Sequence, residues 1–317
     1  MIISTAILPG SHPSNNPAGN HISHAFLVHF KPSFHTVRVL TRDPSSAVAQ
    51  ALAAQGAQLR LFDSAREGLD LARSLDEALD GVDVVVNALP GKTSDQVKRA
   101  VVEAAARSRA RVYILDEYGL DHRIAAVPGH EHPGWLEKGR VSIETRERLK
   151  GRKVIALYAT LFLEFAITPQ MGIDVAKNTY TCYGSPTQPF STTAMEDIGR
   201  AVARLSILAL DPSTAPTVLD EVRIAGTTTT TYAEIRDVVA RVRGVPGAEI
   251  EVRDVGELKE EIRESGPGEK AFYEYMKVVI GEGKVDFSAG NVNELVNPGG
   301  KLWKWKTVEE HVRGLLA

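Results

Sequence analysis

Two stretches of this chain carry residues suited to holding phosphate. The first is the run Pro9-Gly10-Ser11-His12-Pro13-Ser14-Asn15-Asn16-Pro17-Ala18-Gly19, which follows an apolar run at residues 2–8. A strand, a tight turn and a helix start aim unpaired backbone N–H groups at one anion, and glycine lets the backbone approach a pyrophosphate. Gly10, Ser11 and Gly19 are the candidates for that cradle. Their setting is abnormal: the two glycines are nine residues apart, and the three prolines have no N–H to offer. An ordinary Pro/Asn-rich loop is the competing reading. The second stretch is Thr41-Arg42-Asp43-Pro44-Ser45. An acidic residue after the second strand of a dinucleotide-binding domain suits a ribose 2′-hydroxyl, whereas an arginine there suits a 2′-phosphate, which its paired donors can grip. Arg42 therefore points to NADPH, against the alternative of a solvated surface arginine. No metal is expected. His21/His24 and His130-Glu131-His132 do not have the spacing of a known metal site, and the single cysteine, Cys182, excludes a thiolate cluster.

The elements that must position these residues are legible from the apolar pattern. Strands are expected at residues 2–8, 36–40, 57–62, 82–88 and 111–115. Helices are expected at 21–30, 45–56 (stopped by Gly56), 71–79 and 94–107. The run at 82–88 is almost continuously apolar, as a central parallel strand should be. This alternation predicts an α/β fold, a Rossmann-type doubly wound parallel sheet. A further helix begins near Gly134 and runs to about residue 150, and residues 153–158 read as a strand. Beyond these, residues 165–195 read as irregular, 195–210 as a helix, and 227–231 as a strand edge or the approach to a helix at 232–242. A charged helix is expected at 256–264. The division expected is a dinucleotide-binding domain at 1–158 and a smaller C-terminal substrate lobe at 159–317, with elements returning to the first domain.

With 317 residues, 43% of them apolar, the chain can bury a sizeable core. Its net charge of −3 gives no basis for a nucleic-acid or membrane surface. One cysteine and a short apolar start without a basic flank fit a reducing compartment, so a cytoplasmic location is expected.

The runs LTRDPSS, DGVDVVVNAL, Glu117-Tyr118-Gly119 and HPGWLEKGRVSIE, in this order, resemble the NmrA-like and isoflavone-reductase-like branch of the short-chain dehydrogenase superfamily. The closing NELVNPGGKLWKWKTVEE looks most like fungal members. The resemblance implies an NADPH-binding domain and a substrate lobe with a cleft between them. It also implies one catalytic lysine in place of the superfamily's Tyr-x-x-x-Lys pair. That lysine maps onto Lys138, whose alternative reading is an exposed helix residue. A lysine desolvated near a cationic nicotinamide can serve as acid or base near neutral pH. The resemblance places Asn87, Ala88 and Leu89 against the cofactor ribose and Phe162 beside the nicotinamide. Tyr118, His132, Trp135, Tyr180 and Tyr183 are candidates for substrate contact, with ordinary packing as the alternative for the tyrosines at 180 and 183. Tyr273-x-x-x-Lys277 matches the general catalytic spacing, but it lies far past the fifth strand, where chance in a Lys/Tyr-rich helix is the simpler account.

Three departures stand out. The family's compact glycine motif is stretched to Gly10-x8-Gly19. Gly19 is either its third glycine or its second, and the second places Ile22 where a glycine belongs. Asp116 replaces the serine that usually precedes Glu-Tyr-Gly. The function implied is an NADPH-dependent reductase of an aromatic, phenolic or polyketide-derived metabolite, acting as a monomer or homodimer. The alternatives are a redox-neutral isomerase, dehydratase or cyclase on the same scaffold, and a non-enzymatic dinucleotide sensor.

Overall fold

The apolar run around residue 85 becomes the centre of a seven-stranded sheet. In this computed structural model the structure describes residues 3–9, 17–63, 68–226, 228–266, 268 and 270–317. The first six strands are β1 (Ile3–Pro9), β2 (Phe34–Thr41), β3 (Gln58–Leu61), β4 (Val84–Ala88), β5 (Val112–Ile114) and β6 (Lys153–Tyr158), and β11 (Glu221–Arg223) is added at one edge. Their order is β11-β6-β5-β4-β1-β2-β3, and the five ladders from β3 to β6 are all parallel. Every residue of β4 is buried, because helices cover both faces of a parallel sheet. This is the doubly wound Rossmann arrangement expected from the alternating pattern.

The chain forms two compact units. The first comprises residues 1–118, 141–157 and 195–222, and the second residues 119–140, 158–194 and 223–317. The first unit's helices are α1 (Pro17–His24), α2 (Ala47–Ala54), α3 (Gly68–Leu79), α4 (Asp95–Arg107), the second half of α5 (Pro133–Arg148) and α7 (Met195–Leu210). Ser94 caps α4 by accepting from the Val97 N–H. The orphan carbonyls at its other end converge on Arg152, whose guanidinium donates to Ala105, Ala106, Ser108 and Ala110 at 2.6–2.9 Å. Helices α1 and α7 cross at backbone distance, which requires glycine: a Cβ at Gly199 would sit 2.5 Å from the His21 carbonyl oxygen. The expected helix at 21–30 is not one regular helix. It begins earlier, and after His24 it loosens into a π turn, Ala25–His29, that keeps Ala25, Phe26 and Leu27 buried.

In the second unit, the residues expected to be irregular at 165–195, and those just before them, carry short elements. These are β7 (Leu161–Phe162), α6 (Leu163–Ala166), β8 (Ile173–Asp174), β9 (Thr179–Tyr183) and β10 (Phe190–Thr193). They pair with β12 (Thr228–Thr230) and β13 (Ile250–Arg253) as two three-stranded sheets, β12-β10-β7 and β13-β9-β8. Strands of two to five residues are too short to show a period, so scattered Gly and Pro masked them. Helices α8 (Tyr232–Arg243), α9 (Val255–Glu264), α10 (Phe272–Gly281), α11 (Asn293–Val296) and α12 (Val308–Leu316) complete the unit.

An ionic knot also holds the second unit. Asp121 is almost fully buried and accepts from Arg123 Nε and an Arg123 terminal nitrogen at 2.8 and 2.7 Å, and from Arg223 at 3.1 Å. Burial alone would raise the Asp121 pKa, but the arginine hydrogen bonds outweigh it and hold it below the usual range. Its stabilising share is therefore present above the unfolded-state pKa of about 3.9 and is lost as pH falls through the lower folded value. Both guanidiniums are half-exposed, which discounts the pair. We expect Asp121→Asn to cost about 2–3 kcal/mol in urea unfolding at pH 7. The difference from the native chain should shrink at pH 3. A variant as stable as the native chain at pH 7 would remove this role.

Candidate functional site

Ligands of a doubly wound sheet gather at the carboxyl ends of the strands, where the strand order reverses. Here that point lies between β1 and β4. The chain beyond β1, with Gly10 and Ser11, lies outside the described residues. Gly19 is buried in the first turn of α1, and its carbonyl accepts the Ser23 hydroxyl at 2.9 Å. Ile22, one turn on, is fully buried, as the helical pattern required.

Arg42 directly follows β2, the neighbour of β1, and is exposed. The adjacent Asp43 is exposed too, but its carboxylate is engaged within its own loop. Its carboxylate accepts the Ser45 N–H at 2.9 Å and the Ser45 hydroxyl at 2.5 Å, and these bonds lower its pKa. The next residue, Ser46, caps α2 by accepting from the Ala49 N–H. The turn thus engages the acidic side chain locally, with both residues exposed at the strand end.

Asn87 and Ala88 end β4 on the other side of the reversal point, and both are buried with Leu89. The Asn87 side chain accepts the Leu89 N–H at 3.1 Å, which shapes the strand exit. The Asn87 carbonyl accepts the Tyr118 hydroxyl at 2.6 Å. Tyr118 is therefore a buried tie between the ends of β4 and the segment after β5. Burial, then the half-buried Asp116 carboxylate, then Tyr113 push the Tyr118 hydroxyl pKa well up. Asp116 thus lies in the electrostatic reach of these strand ends, and the sequence had marked it only as a departure.

In the second unit, Lys138 is half-buried on α5, one turn beyond the buried Trp135. His132 starts that helix. Its Nδ1 accepts the Gly134 N–H at 3.1 Å and its carbonyl accepts the Trp135 N–H at 2.8 Å. Burial lowers the His132 pKa. His132 and Trp135 both set ring edges against Phe272 and Tyr275 of α10, with centroids 5.3–6.0 Å apart. These contacts seat the start of α5 on the lobe core and so fix where Lys138 lies on its helix.

Tyr180 and Tyr183 are not brought together. They are three residues apart on β9, so the two-residue period sends them to opposite faces. Tyr180 is in the core with its hydroxyl on Asn178 Oδ1 at 2.9 Å. Tyr183 is half-exposed, under the Lys277 ammonium at 5.7 Å. Tyr273 stacks on Phe165 at 4.9 Å, and Lys277 lies 3.6 Å from Glu274. Phe162 ends β7, half-buried and paired with Thr193 of β10. Among the described residues, no group of three or more histidine, cysteine or carboxylate side chains is placed to hold a metal ion, and no helix is long and apolar enough to cross a membrane. A cavity of about 610 Å³, lined by His21, His24, His29 and Arg200 among others, contains none of the expected site residues.

A sequence model of the NmrA-like family matches residues 17–312. No curated protein sequence matches the chain. Among solved structures, AtPrR2 with NADP+ and (+)-pinoresinol is similar at a TM-score of 0.74 and 17% identity, covering 99% of this chain and 98% of that one. An isoflavone reductase is similar at a TM-score of 0.73 and 18% identity, covering 99% of both chains. The NADPH-dependent quinone oxidoreductase QOR2 from Escherichia coli, complexed with NADPH, gives 0.63 and 16%, covering 100% of both. At these identities the likeness shows the shared fold.

Proposed function

The chain belongs to the NmrA-like family, and we propose that it is an NADPH-dependent reductase of a small aromatic metabolite, phenolic or polyketide-derived. The observation that carries the reading is the strand-end turn in which the Asp43 carboxylate is engaged by Ser45, with Arg42 exposed at the end of β2, one strand from the reversal point. A carboxylate facing that point would repel a 2′-phosphate, and a guanidinium would bind it. Two of the similar structures contain NADP+ or NADPH, which supports the same cofactor.

In this reading Arg42 grips the 2′-phosphate. Asn87, Ala88 and Leu89 lie along the ribose, where the Asn87–Leu89 bond and the Tyr118 tie keep the strand exit rigid. Phe162 walls the nicotinamide side. Bound NADPH supplies a hydride to the substrate. Lys138 supplies the proton that the resulting oxyanion needs, with Trp135 and His132 seating its helix. The half-buried Asp116 favours a second reading, redox-neutral chemistry on the same scaffold, because a carboxylate there is an additional acid or base.

One experiment separates these. The folded protein is titrated with NADPH and NADH, then assayed with aromatic quinones and phenolics with and without NADPH. Tighter NADPH binding with stoichiometric NADPH oxidation is expected. Binding of neither nucleotide would sink the reductase reading, and turnover without nicotinamide would establish the redox-neutral one.

A further inference from the structure

Among the described residues, two that are not glycine have φ in the left-handed region, Thr160 at 65° and Asn178 at 57°. Asparagine tolerates that region, whereas a β-branched residue there is an outlier. Thr160 is 1% exposed, so no solvent contact explains its conformation. Backbone strain of this kind persists only where the surroundings over-determine it, and it clusters at working sites.

The surroundings of Thr160 do over-determine it. On its N-terminal side, Ala159 N–H donates to the Gly119 carbonyl at 3.0 Å, and Ile224 N–H donates to the Tyr158 carbonyl at 3.0 Å. The Thr160 hydroxyl donates to the Ala159 carbonyl. On its C-terminal side, Leu161 and Phe162 pair with Thr192 and Thr193. That partner strand is closely packed. Gly226 (φ 49°) is pressed on it so closely that a Cβ would lie 2.5 Å from the Thr192 carbonyl oxygen and 2.9 Å from Thr193 Oγ1. Among the described residues, the Thr192 and Thr193 hydroxyls are buried without a hydrogen-bond partner, a second unfavourable feature on the same two rungs. Strain and unsatisfied polar groups therefore converge on the two residues that end in Phe162.

We propose that Thr160 is a positioning residue for Phe162. The chain is anchored before and after the turn, so the left-handed backbone at 160 sets the direction in which Phe162 leaves the β7–β10 ladder. The stiff Thr160 side chain and its bond to Ala159 hold that direction. The role rests on the reductase reading, in which Phe162 walls the nicotinamide ring.

The test uses the full chain and four variants at this position, with NADPH and adenosine 2′,5′-bisphosphate, which keeps the 2′-phosphate but has no nicotinamide. Thr160→Gly fits the left-handed backbone but frees the turn. It should weaken NADPH binding about tenfold and leave the bisphosphate within about twofold. Thr160→Ser keeps the hydroxyl bond and should hold the affinity ratio within about threefold of native. Thr160→Ala should melt below Thr160→Gly, the reverse of the order at an ordinary φ, and Thr160→Asn should melt above Thr160→Ala. An alanine variant more stable than the glycine one would overturn the strain. Glycine and native chains with the same affinity ratio would overturn the positioning role alone. A native chain that binds neither compound would overturn the reductase reading and this role with it.

Discussion

Replacing Arg42 with leucine should weaken NADPH binding by about 10- to 100-fold and leave NADH binding within about twofold. The magnitude follows from the chemistry of the pair. A guanidinium on a phosphate makes charge-assisted bonds worth about 1.5–3 kcal/mol, and NADH has no 2′-phosphate for Arg42 to hold. Arg42 is exposed at the end of β2, so the lower part of the range applies at physiological salt, where screening weakens the contact. The local structure predicts a second, smaller effect. Asp43 is held by the Ser45 amide and hydroxyl, so Ser45→Ala should loosen its carboxylate and also reduce NADPH preference. Isothermal titration of both nucleotides at two salt concentrations reads all of this. An Arg42→Leu protein that still prefers NADPH by the native margin would remove Arg42 as the phosphate reader.

The first unit was legible because its signals are long and periodic. The run at 82–88 could only be a strand buried on both faces, and β4 is fully buried. The helix expected at 94–107 has Ser94 as its cap and ends at Arg107 as its composition required. Arg42 stood out as a candidate because it follows the second strand, and the structure places it, exposed, directly after β2. The second unit hid its order in short strands paired across long intervals, such as β10 with β12 and β9 with β13. No local pattern of two to five residues announces such partners. Tyr180 and Tyr183 show the same limit: both are aromatic and close in sequence, yet strand geometry separates them. Thr160 had no sequence signal at all, because a left-handed φ at a β-branched residue is imposed by its neighbours in space. Asp116 was visible as a substitution, but its influence on Tyr118 came only from the packing of the strand ends.

The largest effect is expected at Lys138. Removing a positioned general acid typically costs about 10²- to 10⁴-fold in turnover, and Lys138→Met should fall in that range with NADPH affinity within about threefold of native. The split matters because binding and catalysis rest on different residues in this reading. In that reading Arg42, the Asn87–Leu89 exit and Phe162 hold the cofactor, and the proton comes from Lys138. Methionine preserves the length and apolar stem of lysine, so the half-buried site on α5 keeps its packing, and His132 and Trp135 still seat the helix on α10. Unfolding of the variant should therefore match native within about 1 kcal/mol, which separates lost chemistry from lost fold. The three functional readings then diverge. A reductase loses turnover and keeps nucleotide binding. A dinucleotide sensor shows no NADPH oxidation in either protein and the same affinity in both. A redox-neutral enzyme that uses Asp116 keeps nicotinamide-free turnover in Lys138→Met and loses it in Asp116→Asn. Single-turnover NADPH oxidation, nucleotide titration and urea unfolding on the same preparations decide among them, and a fully active Lys138→Met protein would end the case for lysine as the proton donor.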